Sequence, residues 1–69
     1  MITIEECKDL HKEFLRFADS VGQPHTFFQL FQIDSIISGS IDKWEKNGVD
    51  QDEAANMFRV VNKIMGKEE

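Results

Sequence analysis

The stretch Phe27–Trp44, FFQLFQIDSIISGSIDKW, decides how this chain folds. On a helical wheel Ile33, Trp44, Ile37, Leu30, Ile41, Phe27 and Phe31 fill an arc of about 160°. Apolar residues that recur every three or four positions over such a length predict an amphipathic helix, and no sustained strand alternation competes. Phe28 and Ile36 fall outside the arc. With Gln32, Gly39 and Lys43 they form a second ridge at i, i+4, i+8, i+11 and i+15, with Ser35 beside it. A helix apolar on so much of its circumference needs neighbours on more than one side.

Gly39 lies inside this helix between Ser38 and Ser40. An interior glycine costs roughly 1 kcal/mol relative to alanine. Two readings stand together: a kink near Gly39, or a close approach of another helix at Ser35 and Gly39. The stripe Leu30, Ile33, Ile37, Ile41, Trp44 runs through in phase, which predicts a continuous or bent helix rather than a break.

Outward from this stretch the helix ends are punctuated. Thr3 with Glu6 reads as a capping box, in which each side chain satisfies a free backbone N–H, with Ile2 and Cys7 at the staple positions. Asp50 with Glu53 repeats the box, with Val49 and Ala54 as staple. Thr26 with Gln29 is a third possible box, and Pro24 offers a competing start, since proline suits the first turn. Gly22, Gly48 and Gly66 each follow a periodic stretch, where a left-handed cap favours glycine. The expected fold is an all-α three-helix bundle, with helices at about 4–21, 27–47 and 51–65 in a single domain spanning 1–69. The first helix collects Ile4, Cys7, Leu10, Phe14, Phe17, Ala18 and Val21 on one face. The opposite face offers the pairs Glu5/Lys8, Asp9/Lys12 and Glu13/Arg16. The third helix collects Ala54, Met57, Phe58, Val61, Ile64 and Met65.

Sixty-nine residues with a single cysteine bound what can hold this fold together. Below roughly 70–80 residues one core contributes little net stability, and no disulfide within the chain is possible. Self-association would supply the missing burial. The expectation is a two-fold homodimer through the second helix, with Phe28, Gln32, Ser35, Ile36, Gly39 and Lys43 at the interface. A lone cysteine fits a reducing compartment, no run approaches the roughly 20 apolar residues of a membrane span, and the first residues are acidic where a secretory signal is basic. A cytoplasmic protein without membrane contact is expected.

Thirteen acids stand against eight Lys/Arg, a formal net charge of −5. Nucleic-acid affinity comes largely from neutralising phosphates, and no concentrated basic patch is present. A helix-turn-helix is excluded on the same ground, because its recognition helix would open with Asp50-Gln51-Asp52-Glu53. DNA mimicry is opposed by the interspersed basic residues. The acids Asp42, Glu45, Asp50, Asp52 and Glu53 cluster around the second turn. They read either as helix capping and solubility or as recognition of a basic protein surface. Trp44 lies beside them, either as core or as a binding anchor at the rim.

Catalytic constellations are thin. Cys7 and His11, four apart, share a helix face and could be two metal ligands with His25 as a third, but a closed zinc site needs four. As a thiolate–imidazole dyad they lack an orienting group and an oxyanion hole. Gly39 and Gly48 belong to no phosphate-loop pattern. No catalysis, metal or cofactor is expected. Asp34 is the odd polar residue on the main stripe of the second helix, and it calls for a partner such as Lys12, Arg16 or Arg59.

In length, acidity, cysteine use and helix-only pattern the chain resembles the small early proteins of bacteriophages. That resemblance spans the whole chain as composition and rests on no motif. It implies a stoichiometric inhibitor of a host protein, such as a restriction, BREX or CRISPR-type defence component or RNA polymerase. The rival classes are an antitoxin, immunity-type or adaptor subunit of a larger complex, and an acidic transcription cofactor.

Overall fold

Thr3 and Glu6 close the capping box that their spacing predicts. The Glu6 N–H donates to Thr3 Oγ1 at 3.2 Å, and the Thr3 N–H donates to Glu6 Oε1 at 3.1 Å. The helix they start, α1, runs Ile4–Val21. The computed structural model describes the backbone of residues 1–21 and 24–67 and the side chains of 1–21 and 30–67. Two further helices follow, α2 at Pro24–Asn47 and α3 at Gln51–Ile64. The molecule is an all-helical three-helix bundle, and its Cα atoms span 35 × 26 × 15 Å.

α2 begins at Pro24, three residues before the expected Phe27. Proline's fixed φ suits a first turn, and its missing N–H is one that a first turn leaves unpaired anyway. Thr26 and Gln29 therefore lie within the helix rather than at its start. Their side chains, with those of His25, Phe27 and Phe28, lie outside the described residues, as does the helix stop assigned to Gly22. α2 passes through Gly39 as one helix.

At the other ends the glycine signals hold. Gly48 has φ +90° and Gly66 φ +75°, the left-handed conformation that a side chain would strain. After α3 the Lys67 N–H donates to the Asn62 carbonyl at 2.8 Å and the Gly66 N–H to the Lys63 carbonyl at 3.1 Å, the paired bonds of a Schellman cap. That cap ends α3 at Ile64, one residue before the expected Met65. At the start of α3, Asp50 accepts from the N–H groups of Asp52 and Glu53, both at 3.1 Å. Glu53, which would complete a capping box, directs its carboxylate to Lys43 of α2 instead, at 3.2 Å.

The core joins the three stripes. Cys7, Leu10 and Phe14 of α1 meet Leu30, Ile37, Ile41 and Trp44 of α2 and Ala54 and Val61 of α3. Burying a side chain the size of Phe14, Ile37 or Val61 contributes about 1.5–3 kcal/mol. The staple residues Ile2 and Val49 pack against this cluster, as do Ile4, Phe17, Ala18 and Val21. α1 packs along α2 and also against α3, while the backbones of α2 and α3 approach each other only sparsely. The expected i,i+3 pairs of α1 give way to longer-range ones: Lys8 meets Glu45 at 3.0 Å, and Glu13 pairs with Lys67 beyond α3. Exposed pairs of this kind contribute about 0–1 kcal/mol each.

Candidate protein-binding surfaces

The divergence of α2 and α3 leaves an apolar groove between them, about 340 Å³ in volume. Its lining comes from α2 and α3 alone. Ile37, Trp44 and Val61 are lining residues that are themselves buried. Ile36 and Val60 also line it and are 64% and 50% exposed, so apolar carbon stands open to water on both helices. The Lys43–Glu53 pair ties the two helices together where Glu53 borders the groove. Beside it, Asn56 of the lining accepts a hydrogen bond from Arg59 Nη2 at 2.8 Å.

A second cleft lies on the other flank of α2, against α1, with a volume of about 210 Å³. Leu15 and Phe31 line it and are 45% and 57% exposed, and Ala18, Leu30, Asp19 and Asp34 complete the lining. Phe31 departs from its expected place in the buried arc. Asp34 and Glu45, held by His11 and Lys8, mark the edge of the α1 footprint, and Phe31 lies beyond that edge on the wheel.

The residues expected at a dimer ridge are placed as follows. Gln32, Ser35, Ile36, Gly39 and Lys43 are all exposed on α2. Of the described members only Ile36 is apolar, and it forms a wall of the α2/α3 groove rather than the crest of a separate ridge. Phe28 falls among the side chains outside the described residues. A Cβ at Gly39 meets nothing within 4 Å among the described residues, so α1 and α3 do not pack against it.

The expected partner-binding group fares differently. Trp44 is only 3% exposed and belongs to the core, because α1 and α3 both reach the α2 stripe on which it sits. Its indole N–H is buried and has no hydrogen-bond acceptor among the described residues. Most of the acidic cluster is engaged within the chain. Glu45 pairs with Lys8, Glu53 with Lys43 and Asp42 with Lys46 at 3.8 Å, while Asp50 caps α3. Asp52 stands in the first turn of α3, where a negative charge suits the helix dipole.

Cys7 and His11 do not work as a pair. Cys7 is fully buried, and burial, with the charge of Glu6 adding to it, pushes its thiol up from the ordinary value of 9.0. His11 Nε2 donates instead to Asp34 Oδ1 at 2.5 Å, joining α1 to α2. This is the partner Asp34 required, and it is His11 rather than Lys12, Arg16 or Arg59. Among the described residues no three His, Cys, Asp or Glu side chains gather as a metal site, and no helix is long and apolar enough to cross a membrane.

What sequence reading missed is the pair of clefts. Leu15 and Val60, apolar residues off the main stripes of their helices, were the available signal. No protein-family model, curated protein or solved structure matches this chain.

Proposed function

We propose that this chain is a small acidic protein that acts by binding another protein. It serves as a stoichiometric inhibitor of a host protein, such as a bacterial anti-phage defence component of the restriction, BREX or CRISPR type. The observation that carries the binding reading is the cleft between α1 and α2. Leu15 and Phe31 are large apolar side chains about half exposed, and Asp19 and Asp34 line the same cleft. Exposed apolar patches rimmed by polar groups mark interaction sites. The chemistry suits a target that inserts an apolar side chain and sets a Lys or Arg against Asp19. A net charge of −5 favours encounter with a basic surface over an acidic one. The step from protein binder to host inhibitor comes from the resemblance in size, acidity and helical make-up to small early phage proteins.

The test is a plating assay. The chain is expressed in bacteria that carry one restriction, BREX or CRISPR system each, and phage sensitive to that system are plated. An inhibitor raises plaque formation in at least one strain, and its Leu15→Asp variant, folded by circular dichroism, loses most of that rise. No rise in any of the three strains overturns the defence-inhibitor reading. A rise that Leu15→Asp leaves untouched removes the α1/α2 cleft as the contact.

A further inference from the structure

We propose that the α2/α3 groove is covered by the same face of a second copy of this chain, in a two-fold dimer with the Ile36 of each copy seated against the groove of the other. The proposal concerns a different face from the target-binding cleft and stands or falls independently of it.

Three observations select this occupant. The first is surface area. A folded monomer of 8.0 kDa carries roughly 4450 Å² of accessible surface, and this chain carries 4998 Å². A stable interface covers roughly 800 Å² per partner, and the exposed Ile36 and Val60 are part of the surface this chain leaves open. The second is placement. Ile36 and Val60 are both well exposed, and both stand at the same groove, one on each helix. A two-fold axis makes every contact twice, so one Ile36 wall meeting the mate's groove supplies two apolar insertions.

The third is charge. Two chains of net charge −5 repel each other over most approaches. Glu53 is the one charged residue of the groove lining, and Lys43 pairs with it at 3.2 Å. That neutral pair leaves twelve acids against seven Lys/Arg over the rest of the chain. The groove is therefore a face on which two copies meet without net charge from its lining. It is also a poor match for a strongly basic partner, which the Asp19 side of α2 suits better.

Sedimentation equilibrium over about 1–200 µM chain tests this directly. The wild-type chain is expected to sediment as two copies at the upper end. Ile36→Asp and Val60→Asp should each weaken association by at least about thirty-fold, the scale of an interface hot spot. Leu15→Asp, on the other flank of α2, should leave the mass unchanged. A monomeric wild type throughout overturns the proposal. So does a dimer that survives both Asp variants, or one dissolved by Leu15→Asp alone. Should an Asp variant fail to fold, Ile36→Ala and Val60→Ala decide it. Both keep good helix formers on an exposed face, and an unchanged association constant in the two overturns the proposal equally.

Discussion

The side-chain amide of Gln51 closes a two-bond clasp on the backbone of Ile2. The Ile2 N–H donates to Gln51 Oε1 at 2.7 Å, and Gln51 Nε2 donates to the Ile2 carbonyl at 2.9 Å. Residues 49 positions apart thereby bring the N-termini of α1 and α3 together, with the staple residues Ile2 and Val49 packed on one core. Two positive helix ends that converge call for negative charge in both first turns. Glu5 and Glu6 supply it on α1, and Asp52 and Glu53 on α3. Much of the acidity at this end of the molecule is thus accounted for by the architecture, without a ligand.

Removing the clasp has a local signature. Gln51→Ala deletes two exposed hydrogen bonds, each contributing about 0.5–1.5 kcal/mol at most, and gains a better helix former in return. The expected net loss is about 1 kcal/mol in urea unfolding, with faster hydrogen exchange at the Ile2 amide. Unchanged exchange at Ile2 would show that the clasp is not held in solution.

Cys7 offers a probe of the core. Its thiol is fully buried with a raised pKa, so Ellman's reagent should react at a rate set by opening of the fold and speed up sharply in urea. Cys7→Ser, which places a hydroxyl in an apolar core, should cost about 1–3 kcal/mol more than Cys7→Ala. The pH dependence has a definite sign. Below the ordinary value of 9.0 the thiol is neutral in both states and its contribution is fully present. As the pH rises past that value the unfolded chain ionises first, and stability falls until the folded pKa is passed. Wild type should therefore lose stability above about pH 9 relative to Cys7→Ala. Parallel pH profiles would contradict burial of the thiol.

Ile36 and Ile37 are neighbours in sequence and opposites in structure, 64% and 1% exposed. Ile37→Ala should cost about 2–5 kcal/mol of unfolding free energy, the range for aliphatic truncation in a core. Ile36→Ala should cost the folded monomer well under 1 kcal/mol. Equal costs at low protein concentration would mean that the register of α2 is turned from the one described.

This contrast shows where sequence reading succeeds and stops. Periodicity separates Ile37 from Ile36, and caps such as Thr3–Glu6 and Gly66 place helix ends to within a residue, because both depend on groups a few positions apart. The partners of Asp34, Lys8 and Glu53 depend on how helices cross, and nothing local encodes that. The grooves have the same origin. Ile36 reads as surplus apolar surface from its wheel position. That it faces a cleft shared with Val60 follows only once α2 and α3 are seen to diverge.

Gly39 and Gly48 have opposite backbone demands, one inside α2 and one in the left-handed turn that follows it. Gly39 is helical, and a Cβ there meets nothing within 4 Å among the described residues, so Gly39→Ala removes only the entropic penalty of glycine. It should stabilise the chain by about 0.5–1 kcal/mol. Gly48 has equal room but φ +90°, and Gly48→Ala should destabilise by about 1 kcal/mol or more, because an L-residue is strained there. Gly39 also divides two modes of self-association. If a second copy crossed α2 at Ser35 and Gly39, the added methyl would push the helices apart and weaken the dimer. With the mate seated on the α2/α3 groove, which Gly39 does not line, Gly39→Ala should raise the melting temperature and leave the sedimentation mass unchanged. A stabilised but monomeric Gly39→Ala protein would move the dimer contact back onto the small-residue face of α2.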